Sequence, residues 1–172
     1  MAQGENELFA RLDRLEVTTQ TYHHPPVRTV EEARRLRSRM PGLHCKNLFL
    51  KDSTDRLWLV VAEEDRKVDL KRLEKAIGAG RLSFGKPDLL QETLGIEPGA
   101  VTPFAVINDT ARRVQIVFDR TLLGNRPVHC HPLRNDRTTQ ISPADLVRFV
   151  ADCGHQPMVV DFDALADKGP AP

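Results

Sequence analysis

Lys46 lies in the run Gly42-Leu43-His44-Cys45-Lys46-Asn47-Leu48-Phe49-Leu50-Lys51-Asp52. The run reads as a β-strand bounded by Pro41-Gly42 and by Asp52-Ser53-Thr54-Asp55. Side chains alternate across a strand, so Lys46 shares a face with Leu48 and Leu50. An ammonium in line with two leucines is costly to bury without a partner. Either that face is a solvated strand edge, or the lysine enters a pocket where an anionic or polarisable ligand meets it. The loop Glu97-Pro98-Gly99-Ala100-Val101-Thr102-Pro103-Phe104 is a second element of interest. Its small residues allow close backbone approach to a ligand, and a backbone N–H there could bind a developing oxyanion. A simple turn into the following strand explains the same residues.

Other chemistries fit less well. A serine hydrolase wants Gly-x-Ser-x-Gly on a strand-to-helix turn, but in Gly80-Arg81-Leu82-Ser83-Phe84-Gly85 an arginine stands where the first glycine belongs. Ser83 therefore reads as a loop hydroxyl. No phosphate-binding loop or dinucleotide fingerprint occurs. His129-Cys130-His131, His44-Cys45 and Cys153-Gly154-His155 invite a metal reading. Adjacent strand residues face opposite ways, though, and only His129 and His131 can share a face. Structural zinc sites show tighter paired spacing, so no metal is expected. Between Arg28 and Met40, arginines 28, 34, 35, 37 and 39 oppose Glu31 and Glu32, a local excess of three positive charges. Arginine's planar fork suits phosphate, yet a solvated helix face would look alike.

The elements that must position these residues follow from periodicity and caps. Leu8, Phe9, Leu12 and Leu15 give an amphipathic helix over residues 7–17, and residues 18–24 read as extended. Thr29-Val30-Glu31-Glu32 is a capping box opening a helix to about Arg39. The Lys46 strand pairs as a hairpin with residues 56–63, and that second strand, apolar on both faces, should be central. Asp69 caps a helix to Ile77, Lys86-Pro87 begins one ending at Gly95, and Ser142-Pro143 starts the last one, closed by Gly154. Strands are expected at Phe104–Asn108 and Val114–Phe118 with a turn between them, then near residues 127–131 and 138–141. The tail from Asp163 is polar and expected to fray. A chain of 172 residues, 40% apolar and 28% charged, fits one globular mixed α/β domain, with a core over about residues 8–162. A net charge of +1 excludes a strongly basic nucleic-acid coat, so any such contact needs a local patch. Three cysteines without CxxC spacing suit a reducing cytoplasm, and the first residues do not read as a secretory signal.

Taken together, the blocks resemble the YbaK/prolyl-tRNA-synthetase-associated editing domain family, in its free-standing, alanine-specific form. They are His24-Pro25-Pro26-Val27, Thr29 to Ala33, Gly42 to Asp52, Leu57 to Val61, Gly80 to Gly85, Gly99 to Phe104, Ile107-Asn108-Asp109, and His131-Pro132-Leu133 with Asn135. The resemblance implies a curved, mostly antiparallel, partly closed sheet flanked by helices. It implies hydrolysis, without a cofactor, of the ester joining a wrong amino acid to tRNA(Pro), with alanine as that amino acid. Cysteine, serine or threonine esters, or an inert RNA-binding module, are the alternatives. The family lysine falls on Lys46, beside Asn47; the glycine-containing loop falls on Gly99 to Thr102, and the late His-Pro on His131-Pro132. Many relatives carry Thr or Ser where this chain has Cys45.

On that resemblance Lys46 holds the terminal phosphate or the ester, while backbone N–H groups near Gly99, Ala100 and Thr102 stabilise the tetrahedral oxyanion. The substrate's own ribose hydroxyl, which DNA lacks, or His131 orients the water. Val30, Leu48 and Phe49 are candidates for the wall that excludes proline. Asn47, Ser83 and Asn135 are further substrate contacts, and Arg28, Arg34, Arg35, Arg37 and Arg39 grip the acceptor stem. The implied protein is a cytoplasmic monomer that meets prolyl-tRNA synthetase or an elongation factor only transiently and touches neither membrane nor DNA.

Overall fold

The computed structural model describes residues 2–165. Helix α1 (Glu5–Arg14) buries Leu8 and Leu12 and leads into strand β1 (Gln20–His23). Helix α2 (Val30–Ser38) starts at Thr29, whose hydroxyl accepts from Glu32 N. The returning carboxylate of Glu32 accepts from Arg28 N, one residue before the position a full capping box would use. No residue of α2 is buried. Strand β2 (Leu43–Asp52) then forms the expected hairpin with β3 (Leu57–Glu63), in the register Lys51 with Leu57 and Cys45 with Glu63.

Asp69 caps α3 (Leu70–Ile77), and a short strand, β4 (Leu82–Phe84), lies against Leu50 to Asp52 of β2. Helix α4 (Pro87–Leu94) ends at Gly95 in the left-handed region, where glycine carries no Cβ penalty. Strand β5 (Val114–Asp119), β6 (Val128–Cys130), β7 (Arg137–Ile141), helix α5 (Pro143–Asp152), β8 (Met158–Val160) and a single turn, α6 (Phe162–Leu165), complete the described chain. The sheet order is β1-β7-β6-β2-β3-β5-β8, with β4 also on β2. Four pairings are antiparallel (β1·β7, β2·β3, β2·β4, β6·β7) and three parallel (β2·β6, β3·β5, β5·β8). The result is a mixed α/β fold with a partly antiparallel sheet flanked by helices.

The strands sort their side chains between two cores. Leu57, Leu59 and Val61 of β3 face one, with Phe49, Ile116, Phe118 and residues of α1, α4 and α5. Trp58 and Val60 face the other, with Leu50, Val117 and residues of α3 and α6. β3 is central, as its two apolar faces require.

Two expectations are corrected. Pro103–Asn108 is a 3-10 helix, not a strand: Thr102 accepts from Phe104 N, Pro103 opens the turn, and residues 103–107 are all buried, packed against α4 and α5. A short apolar run does not by itself distinguish a strand from a fully buried helical segment. β5 accordingly has no hairpin partner before it and pairs in parallel with β3 and β8, the latter a strand that no sequence signal marked. Asp163 lies within α6, and the remainder of the tail expected to fray lies outside the described residues.

Asp52 stitches the hairpin to the β4 turn. Its carboxylate accepts from Thr54 N (2.9 Å), Arg56 N (3.1 Å), Trp58 Nε1 (3.1 Å) and Gly80 N (3.1 Å). Burial alone would raise its pKa; the hydrogen bonds from Thr54, Trp58 and the backbone outweigh it and hold the carboxyl well below the usual carboxylate range. A depressed folded pKa stabilises the protein above the unfolded value near 3.9 and loses that contribution as pH falls through it. Asp52→Asn should therefore cost on the order of 2 kcal/mol at pH 7 in urea unfolding. The gap to the unmodified protein should narrow below about pH 4; a gap that stays constant there would contradict this role.

Candidate functional site

A cavity of about 230 Å³ opens where β2, β6, β7 and α2 meet. On one edge β2 is paired throughout its middle by β3; on the other it is met by β6 only at Leu43 and His44 and by β4 only from Leu50. Between those contacts Cys45 and Asn47 look into the cavity. Alternation puts Lys46 on the opposite face, with Leu48 and Leu50, as the strand pattern requires. β6 contributes His129 and Cys130, the chain beyond it His131 and Asn135, β7 Thr138, and a short 3-10 turn, Pro98–Ala100, supplies Gly99. Ala33, Leu36 and Arg37 of α2, with Met40, form the roof, and Glu64 stands at the end of β3. At this size the cavity is below the roughly 300–1,000 Å³ that encloses a drug-sized ligand, so it suits the tip of a larger molecule.

The polar groups are held in defined states. His44 and His129 stack with ring centroids 4.4 Å apart and planes 6° from parallel. The parallel register of β2 and β6 makes them neighbours. His44 Nε2 donates to Met40 O (2.9 Å) and His129 Nδ1 to Leu43 O (3.2 Å). His131 Nδ1 donates to Arg137 O (2.7 Å), which leaves Nε2 as the acceptor of the neutral ring. Burial lowers the pKa of all three, and a neighbouring group adds to it in each case: Arg37 for His44, His44 for His129 and His24 for His131. These three rings are therefore mainly neutral at pH 7. Asn47 Oδ1 is buried without a hydrogen-bond partner, an acceptor ready for a ligand's donor. Burial raises the pKa of Glu64, opposed by Arg37, whose Nη1 donates to it (3.1 Å), and by the charge of Lys46. No three metal-ligating side chains among the described residues form a metal-binding group.

The sequence-derived candidates divide. Asn47, Gly99, His131 and Asn135 meet at the cavity. Lys46 does not line it: its ammonium donates to Arg66 O, beside Glu64. Thr102 is fully buried and caps the 3-10 helix, and Ala100 packs in the core behind Gly99. Ser83 lines a separate concavity of about 780 Å³ with Lys51, Arg81 and Phe84. Leu48 packs on the second core, Phe49 is buried beneath Gly85, and Val30 is 72% exposed on α2, so none of the three forms the cavity wall. Arg28, Arg34, Arg35 and Arg39 are exposed, whereas Arg37 is engaged with Glu64 and Asp65. His24, His44, His129, Cys130, Glu64 and Thr138 complete the cavity. Their available signal was the recurrence of His-Cys pairs at 44–45 and 129–130, which only the parallel register turns into one cluster.

Residues 24–149 match the model of the aminoacyl-tRNA editing domain. Prolyl-tRNA synthetase associated domain-containing protein 1 of Danio rerio is 42% identical over 159 residues, covering 91% of this chain and 86% of that protein. The prolyl-tRNA editing protein ProX of Acetoanaerobium sticklandii is 40% identical over 153 residues, covering 88% of this chain and 93% of that one. The crystal structure of a hypothetical protein superimposes with a TM-score of 0.72 at 22% identity, over 90% of this chain and 97% of that chain, a likeness of fold.

The neutral histidines make stability depend on pH. Folded pKa values below the unfolded value of about 6.5 mean that the unfolded chain binds more protons. Stability is therefore complete above about pH 6.5 and falls as the pH drops from there towards the folded values. His129→Asn should make the decline between pH 7 and pH 5 shallower, by at most about 1.4 kcal/mol per pH unit in urea unfolding. An unchanged slope would show that His129 is not held neutral.

Proposed function

The chain belongs to the aminoacyl-tRNA editing domain family, and from that premise we propose that it hydrolyses alanine from mischarged tRNA(Pro), acting in trans. The observation that carries this reading is the small cavity pairing an unpartnered amide acceptor, Asn47 Oδ1, with a neutral imidazole, His131, and the open backbone at Gly99. An aminoacyl ester is already activated, so positioning and charge stabilisation suffice without a covalent nucleophile. Asn47 Oδ1 accepts from the α-ammonium of the alanyl group. Water attacks the ester carbonyl, oriented by His131 Nε2 or by the neighbouring ribose hydroxyl. Backbone at Gly99 faces the oxyanion; the tetrahedral intermediate collapses as the ribose oxygen leaves and takes a proton. Thr102, by capping the 3-10 helix, fixes the loop that carries Gly99.

Lys46 starts outside the cavity, where its ammonium rests on Arg66 O near Glu64, and turns from there to the terminal phosphate. Arg28, Arg34, Arg35 and Arg39 meet the acceptor-stem backbone, and Arg37 keeps α2 over the cavity through Glu64. Selectivity comes from space. One methylene is worth only about 1–3 kcal/mol to a synthetase pocket built for proline, so alanine escapes exclusion there. A cavity that takes a methyl group and clashes with the pyrrolidine ring supplies the second sieve.

Purified protein incubated with Ala-, Cys-, Ser-, Thr- and Pro-tRNA(Pro) should release alanine well above the buffer rate and leave Pro-tRNA(Pro) intact. Lys46→Ala should lower kcat/KM at least about tenfold. Gly99→Ala is the sharper probe. The added Cβ would lie 3.4 Å from Asn135 Nδ2, an ordinary contact, so Tm should stay within about 2 °C while turnover falls. Hydrolysis of another ester in place of alanine would refute the alanine assignment alone; hydrolysis of none would refute the enzymatic reading.

A further inference from the structure

Two of the three cysteines share one wall of the cavity. Cys45 Sγ and Cys130 Sγ are 3.7 Å apart, although 85 residues separate them in sequence. β2 and β6 run parallel with Leu43 opposite Val128 and His44 opposite His129, and Cys45 and Cys130 are the next residue of each strand, just past the last paired position. Forming the bond brings the sulfurs about 1.7 Å closer, to ~2.05 Å, a change that side-chain rotation can supply. Both cysteines line the cavity; Cys45 is half-buried and Cys130 buried, so Cys45 is the first to meet an oxidant that enters. Cys153 lies elsewhere, within 3.2 Å of Arg11 Nη1.

We propose that hydrogen peroxide oxidises Cys45 and Cys130 to a reversible disulfide, and that the bond switches the cavity off. The sulfur of Cys45 attacks a peroxide oxygen; the O–O bond breaks, the departing hydroxide leaves as water, and a sulfenic acid remains. The sulfur of Cys130 then attacks that sulfur, the S–O bond breaks, and a second water leaves. Two thiols lose two electrons and two protons, and one peroxide is reduced to two waters. The Cys130 thiol, burial, and the charges of Glu64 and Asp119 all hold the Cys45 thiol well above its ordinary pKa. The pair therefore responds slowly and stays reduced under mild conditions. A dithiol reductant restores it. Only the effect on turnover rests on the deacylase reading: both sulfurs form the wall that seats the substrate tip, where an ångström of displacement costs up to ~100-fold.

The test is treatment of the full chain with hydrogen peroxide, followed by alkylation, non-reducing digestion and mass spectrometry, with Ala-tRNA(Pro) hydrolysis measured on the same samples. The expected result is a mass lower by two hydrogens, a peptide pair joining Cys45 to Cys130, and retention of that link in Cys153→Ser. Hydrolysis should fall at least fivefold and return with dithiothreitol. Cys130→Ser should abolish the link. A Cys45 that stays a thiol, over-oxidises to the sulfinic acid, or pairs with Cys153 or with another molecule overturns the proposal. A link that leaves hydrolysis unchanged overturns the switch. If the link forms and even the reduced protein has no hydrolytic activity, the deacylase reading and the proposed switch fall, while the disulfide site stands.

Discussion

β2 is a single strand that joins the two halves of the sheet and contributes to both cores, and the site exists because of it. β3 occupies one edge of the strand, while β6 and β4 meet its other edge only at the ends. Its middle is left without a strand on that side, and the cavity is lined there by Cys45 and Asn47. Period-two alternation gives the rest: residues that reach the cavity cannot also reach the second core, so Asn47 faces inward while Lys46 goes with Leu48 and Leu50. A one-residue slip in register would exchange the two sets. The buried hairpin, anchored by Asp52 at its tip, opposes such a slip.

The cavity's chemistry depends on what is kept neutral. Imidazoles that give one nitrogen to a backbone carbonyl and lie away from water retain a free lone pair at physiological pH. Among the described lining residues the charged side chains are Arg37 and Glu64, which pair with each other. α2, with no buried residue, is fastened there through Arg37 bonded to Glu64 and leaves its other arginines outward. A small interior with its charges paired and arginines outside it suits a substrate that is a polyanion outside the cavity and a small ester inside it.

Much of the fold was legible where the determinants are local. Thr29, Asp69 and Ser142 cap their helices through their own side chains, and the β2–β3 hairpin follows from two strand patterns and a short turn. The run at 103–108 failed because burial on every side erases periodicity, and β8 because a three-residue strand carries almost none. Both lie in the part of the structure where β5 pairs in parallel with strands distant in sequence.

Readable from the residues alone were the starts of α2, α3, α4 and α5, the central place of β3, the face that Lys46 shares with Leu48 and Leu50, and the blocks whose resemblance named the family. These rest on caps, alternation and short-range pattern, which act within a few residues. It took the assembled fold to stack His44 on His129, to bring Cys45 to Cys130, to set Glu64 beside the cavity, and to rest the ammonium of Lys46 on Arg66 O rather than in the cavity. Those contacts arise from the parallel register of β2 and β6 and from the end of the hairpin. No local preference encodes which strand lies beside which.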